Sequence, residues 1–203
     1  FTLKAARGSK FIEDIFVSSD NNKLLNYSKK NYDAKVIKRS IEASNDHATA
    51  EHVVDDFLTK IYHLHKNVKN LCLIYLQPTS PFRNTKHIDE CILMFENLKP
   101  LSITSVKKIN FPIQKVVDIN IENKLIPLTE PNEITSNRQS LKHFYMPNGA
   151  IYIFKLGTYI NFKKIPILGG IPYQMNNYDS LDIDNVNDLK EFRRLLRIQN
   201  GRF

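Results

Sequence analysis

Apolar positions along the chain follow two alternating spacings. Residues 1–9 carry helical periodicity, "DIFVSS" alternates as a strand, Asn21 to Lys30 is helical again, and "AKVIKR" is a second strand. Val53, Phe57, Ile61 and Leu64 then recur at helical spacing within "TAEHVVDDFLTKIYHLH". "LCLIYL" predicts a strand, His87 to Leu98 a helix and "LSITSVKK" a strand. Phe111 to Lys142 reads as short strands, "KVVDINIENKLIPL", and a polar loop, with Pro127 to Arg138 as the best candidate for an insertion. "GAIYIFK" and "SLDID" supply two more strands before a last helix from Val186 to Ile198. Strands alternating with helices predict an α/β fold of three layers, α/β/α, around a mainly parallel sheet.

Composition narrows this picture only a little. A chain of 203 residues with 42% hydrophobic content can bury one sizeable core, so a single domain over 1–203 is expected. No apolar run reaches membrane-spanning length and no signal peptide is read, which predicts a soluble, cytoplasmic protein with no membrane partner. Cys72 lies in an apolar strand and Cys91 in a helical pattern, so two buried thiols are expected in place of a disulfide or a zinc site. The net charge of +8 is spread over pairs such as Lys29-Lys30, Lys107-Lys108, Lys163-Lys164 and Arg193-Arg194. No basic run is interleaved with aromatics, which argues against nucleic acid and fits small anionic partners.

The candidate chemistry sits at two strand ends. In Asp179-Ser180-Leu181-Asp182-Ile183-Asp184 an extended backbone places Asp182 and Asp184 on one face, with Leu181 and Ile183 on the other. Two such carboxylates can share a hard cation such as Mg2+ that keeps its other positions for water and phosphates. The same residues also read as a turn and a cap for the helix that follows. Upstream, the apolar run of "LCLIYLQPTSPFR" stops at Gln77-Pro78-Thr79-Ser80-Pro81, where two prolines forbid a continued central strand. Gln77, Thr79, Ser80 and Arg83 at the carboxyl end of a strand are placed to meet a phosphorylated ligand, unless the loop only reverses the chain.

Together these segments resemble the cytidylyltransferases that activate sialic acid and related nonulosonic acids, the CMP-N-acylneuraminate synthetases. Five collinear blocks carry the resemblance: "FTLKAARGSKFIEDIFVSSDNN", "KRSIEASNDHATAEHVV", "LIYLQPTSPFRNTKHIDECI", "YMPNGAIYIF" and "YDSLDIDNVNDL". They span nearly the whole chain, and "LQPTSPFR" and "SLDIDNVNDL" are the specific ones. The resemblance implies a Rossmann-like nucleotidyltransferase that transfers CMP from CTP to the anomeric hydroxyl of an acidic nine-carbon sugar and releases pyrophosphate. By the same resemblance Asp182 and Asp184 are the catalytic, Mg2+-holding pair. Arg39, Gln77, Thr79, Ser80 and Arg83 face the nucleotide, and Gln77, Arg138, Gln139, Asn148 and Gly149 the sugar. The stretch from about 110 to 145 corresponds to a small dimerisation arm, which implies a homodimer.

The sequence departs from the family pattern in several places. Met146 stands where some members have an Arg, Gln114 where some have a Lys, and Ala50 where the family often has a hydroxyl residue. Thr49 with Asp46 reads as a helix cap, and His143 and Tyr145 as surface and packing residues. "ARGSK" at Ala6 to Lys10 looks like the glycine-containing phosphate loop with which these synthetases open. No strand precedes it, however, and the alignment places it in the helix after that loop. The first strand and phosphate loop of the family are therefore expected upstream of Phe1. The alternative is a catalytically silent homologue that serves as a dimerising or regulatory subunit.

Overall fold

The computed structural model describes residues 1–62 and 67–200. Six α-helices, α1 (Thr2–Gly8), α2 (Asn22–Tyr32), α3 (Ala50–Ile61), α4 (Thr85–Leu98), α5 (Leu156–Phe162) and α6 (Val186–Asn200), alternate with strands. The strands are β1 (Phe16–Ser19), β2 (Lys35–Lys38), β3 (Cys72–Tyr75), β4 (Ser102–Lys108), β5 (Val117–Ile119), β6 (Leu125–Pro127), β7 (Tyr145–Lys155) and β8 (Ile171–Met175).

Local chemistry sets the helix ends. Asn21 caps α2 by accepting from the Lys23 and Leu24 amides, and the helix stops where Asp33 turns left-handed at φ +49°. In α3 and α4 the third residue is a histidine that reaches back: His52 Nδ1 accepts from the Thr49 amide at 3.0 Å and His87 Nδ1 from the Asn84 amide at 3.4 Å. The cap expected at Thr49 is thus present.

Three sheets form. β1 and β2 pair in parallel, β5 and β6 make an antiparallel hairpin, and four strands lie in the order β3-β7-β4-β8. β3, β4 and β8 run one way, while β7 runs against both of its neighbours. Within the four-stranded sheet β7 is the one strand that runs against the rest, because the chain doubles back through the hairpin segment before entering it. Helices cover both faces. Ile88, Cys91, Ile92 and Phe95 of α4, with Ala5 of α1, pack on Ile103, Ile151 and Ile153. On the other face Val54, Phe57, Leu58 and Ile61 of α3 pack with Phe154, Leu156 and Tyr159. The α/β/α layering is as expected.

Other expectations are corrected. "SLDID" forms no strand; the last strand is β8, which lies at a sheet edge where Pro172 withholds no needed donor. α5 was not legible because it starts at Leu156 directly after β7, with no polar linker between them. Cys91 is fully buried but Cys72 is exposed, and both thiols are free. Leu64 lies outside the described residues. Ala6 to Gly8 close α1 as a helical turn, with Gly8 so near α4 that a Cβ there would stand 2.4 Å from Thr85 Oγ1. "ARGSK" is therefore a helix end docked on α4 and not an open loop.

Candidate active site

The carboxyl ends of β3 and the middle of β7 bring three of the expected residues together. Gly149 holds φ +76°, and a Cβ built on it would stand 2.2 Å from Gln77 Oε1 and 3.3 Å from Asp182 Oδ2. Gln77, Gly149 and Asp182 therefore meet at one point. A main-chain bond fastens the two loops that carry the side chains, with the Ile183 amide donating to the Thr79 carbonyl at 2.9 Å.

Beneath this point the polar groups are organised by burial. Arg83 is only 2% exposed, and its Nη1 donates to the Gln77 and Ala150 carbonyls, each at 2.9 Å. It clamps the loop to β7 from below, while its Nε and Nη2 lack a partner within the protein. Burial pulls the guanidinium down to about 10, so it stays charged at neutral pH. Asn148 is also buried. Its Oδ1 accepts from Ser105 Oγ at 2.6 Å and from the Ala150 amide, and its Nδ2 donates to Ser180 Oγ at 2.9 Å. That network ties β4, β7 and the Asp182 segment into one unit.

Asp182 Oδ1 is buried without a hydrogen-bond partner. An orphaned carboxylate oxygen is an unfavourable arrangement in a dry site and fits a ligand waiting for a cation or a donor. Asp184 is exposed, and its amide, with that of Asn185, donates to Asp188 Oδ2 in the turn that opens α6. The turn exists, and one carboxylate faces the convergence point. Among the described residues no group of three or more His, Cys, Asp or Glu side chains is arranged to hold a metal, so a cation here would rest on these two carboxylates, water and phosphate.

Two tyrosines that the sequence hid connect the halves of the site. Tyr75 hydrogen-bonds the Gln77 side chain and lies close enough to Arg39 to feel its charge; desolvation nevertheless pushes its hydroxyl up. Tyr152, ring to ring with Tyr75 at 6.1 Å, is pushed up by desolvation and then by the neighbouring Tyr75 and Asp182. Both stay protonated and can donate at neutral pH.

The remaining predicted residues are more dispersed. Arg39 is held at the end of β1, with its Nη2 on the Ser18 carbonyl at 2.7 Å and its Nε on Ser18 Oγ at 3.2 Å. Thr79 is partly buried and Ser80 fully so, its Oγ unpartnered. Arg138 and Gln139 are exposed on a short 3-10 turn, with Arg138 Nη2 on the Asn110 carbonyl at 2.9 Å.

Gln77, Gly149 and Asp182 thus meet at strand ends of a three-layer α/β/α fold, the place where sheets of this class take their ligands. Residues 1–199 match the family model described as Cytidylyltransferase, and the chain belongs to that family. It is 27% identical over 200 residues to an N-acylneuraminate cytidylyltransferase of Escherichia coli O18:K1:H7, covering 98% of this chain and 45% of that protein. It is 28% identical to a CMP-N,N'-diacetyllegionaminic acid synthase of Legionella pneumophila, covering 97% of this chain and 84% of that one. The chain thus spans a little under half the length of the first of these relatives. Among solved structures, CMP:2-keto-3-deoxy-manno-octonic acid synthetase complexed with CTP superposes with a TM-score of 0.62 at 13% identity, over 98% of this chain and 86% of that one. At that identity the likeness establishes the fold.

Proposed function

We propose that this domain transfers CMP from CTP to the anomeric hydroxyl of sialic acid or a related nonulosonic acid and releases pyrophosphate. The observation that carries the reading is the meeting of Gln77, Gly149 and Asp182 at one point, within a chain whose relatives are named for this chemistry. Gln77 can read donor and acceptor groups on a sugar or nucleotide, and the positive φ of Gly149 brings main chain close to the ligand without a side chain in the way. Arg39, Thr79, Ser80 and Arg83 form or support the nucleotide side; Arg138, Gln139, Asn148 and Gly149 form or support the sugar side.

The orphaned Asp182 Oδ1 fits Mg2+, with Asp184 as second carboxylate. When bound, the ion would neutralise phosphate charge as pyrophosphate leaves. In this reading Asp182 also helps to orient the attacking hydroxyl and to remove its proton. The enzyme acts as a homodimer through the hairpin segment, in a soluble compartment.

The test is pyrophosphate release from CTP in the presence of Mg2+ and N-acetylneuraminic, legionaminic or pseudaminic acid. Asp182→Asn should lower turnover at least about a hundredfold with little change in thermal unfolding, since it removes a ligand oxygen and no packing. Turnover that survives this substitution would remove Asp182 from the reaction.

A further inference from the structure

Asp182 is fastened on both sides. One residue after it, the Ile183 amide donates to the Thr79 carbonyl at 2.9 Å; two residues before it, Ser180 Oγ accepts from Asn148 Nδ2 at 2.9 Å. The second fastening is deeply buried, with Ser180 at 1% exposure and Asn148 at 3%. Water does not compete for a bond so placed, and cutting it leaves a donor unpaired in the interior.

Asn148 divides its amide group between the two halves of the convergence point. Its Oδ1 accepts from the Ala150 amide at 3.2 Å, bridging Gly149, and from Ser105 Oγ at 2.6 Å. A main-chain amide can only donate, so this end is the oxygen and Nδ2 must face Ser180. Met175 Sδ, 3.4 Å from Nδ2, takes the second hydrogen. All four bonding positions of the Asn148 side chain are thus filled from within the protein, and none is left for a ligand. Ser105 of β4, wholly buried, holds Asn148 in turn, since its Oγ also accepts from the Ile151 amide at 2.7 Å.

A relay from Ser105 through Asn148 to Ser180 therefore fixes the turn at Gly149 on one side and the Asp182 segment on the other. The gap it spans is narrow. A Cβ on Gly149 would stand 3.3 Å from Asp182 Oδ2, and groups that act together on a ligand need placement to within about 0.5 Å. Only Leu181 and Asp182 lie between the anchors at Ser180 and Ile183.

We infer that Ser105 and Ser180, neither of which hydrogen-bonds Asp182 or Gln77, are positioning residues that hold Asp182 against Gly149 through Asn148, and that Asn148 serves the sugar side by this relay without touching the sugar. The effect on turnover rests on the activity proposed above, whereas the hold on the segment does not.

Ser180→Ala cuts the relay at the end nearer Asp182, and Ser105→Ala at the far end. By residue-resolved amide exchange on the 203-residue chain, the Ile183 amide should exchange at least about tenfold faster in Ser180→Ala and at least about threefold faster in Ser105→Ala. The Ile92 and Phe95 amides, in the middle of α4, should stay within about twofold of the parent chain. An unchanged Ile183 amide in either variant would overturn the inference, as would equal acceleration at Ile92 and Phe95, the mark of a general loss of stability. In pyrophosphate release, Ser180→Ala should lower kcat about tenfold with KM for CTP within about twofold. Added to Asp182→Asn, the same substitution should cost less than about twofold, because the relay acts through that carboxylate. Equal losses in both backgrounds would detach Ser180 from Asp182 and overturn the positioning role. A parent chain that releases no pyrophosphate counts against the proposed activity alone, and the exchange rates then decide whether the relay holds the segment.

Discussion

Gly149 carries the tightest constraint of any residue in the site. At φ +76° it occupies backbone space that side-chain-bearing residues avoid, and a methyl group there would stand within 2.2 Å of the Gln77 amide oxygen. Gly149→Ala should therefore lose about 1–2 kcal/mol in urea unfolding and at least about tenfold in turnover, because Gln77 must leave the convergence point. Stability and turnover both near wild type would show that Gln77 does not need its present place. Asp182, Gln77 and Gly149 were legible in the sequence because polar residues next to prolines, an Asp-x-Asp pair and a glycine before an apolar strand all stand out from their surroundings. Tyr75 and Tyr152 did not stand out. Each sits in an apolar strand, where an aromatic ring reads as packing, and only the folded pairing shows that the two rings lie together with Tyr75 beside Gln77. Arg83 was legible as a site residue, but its burial and its pair of carbonyl partners depend on contacts with β7.

At the scale of elements, two helices begin with histidine at the third position, where Glu or Gln is usual. His87 is held below its ordinary value, chiefly by desolvation, with Lys86 and Arg83 adding to the effect and Asp179 and Glu90 opposing it. A histidine whose folded value lies below its unfolded value of about 6.5 binds fewer protons in the native state than in the unfolded one. Its contribution is therefore fully present above about pH 6.5 and is lost as the pH falls through the folded value. The neutral ring is also the form that can accept from the Asn84 amide. His87→Gln keeps an acceptor at the cap but does not titrate. Its thermal midpoint should match wild type at pH 8 and exceed it at pH 5, and parallel midpoints across that range would count against the cap as a titrating element. Most helices were readable from apolar spacing and caps. α5 and β8 were not, since one follows a strand without a break and the other is a short edge strand interrupted by Pro172.

For the whole molecule, the layers were predictable from the alternation of strands and helices, but the reversal of β7 was not, because spacing along one strand is silent about its neighbours. The β5–β6 hairpin leaves Ile119, Ile121, Leu125 and Leu128 exposed, an apolar surface that an isolated hairpin has no means to cover. If it forms the dimer contact, Ile121→Lys with Leu125→Lys should give monomers by sedimentation at about 10 μM protein, where the parent chain dimerises. A parent chain that is monomeric at that concentration would remove the hairpin from this role. A single main-chain bond joins the two loops of the site: the Ile183 amide on the Thr79 carbonyl at 2.9 Å. Because it uses main-chain atoms only, the spacing between the Gln77 loop and the Asp182 segment does not depend on which side chains stand at 79 and 183. Sequence drift at these two positions can therefore alter the lining of the site without altering its width, and proline at 183, which lacks the amide hydrogen, is the replacement that this ruler does not survive.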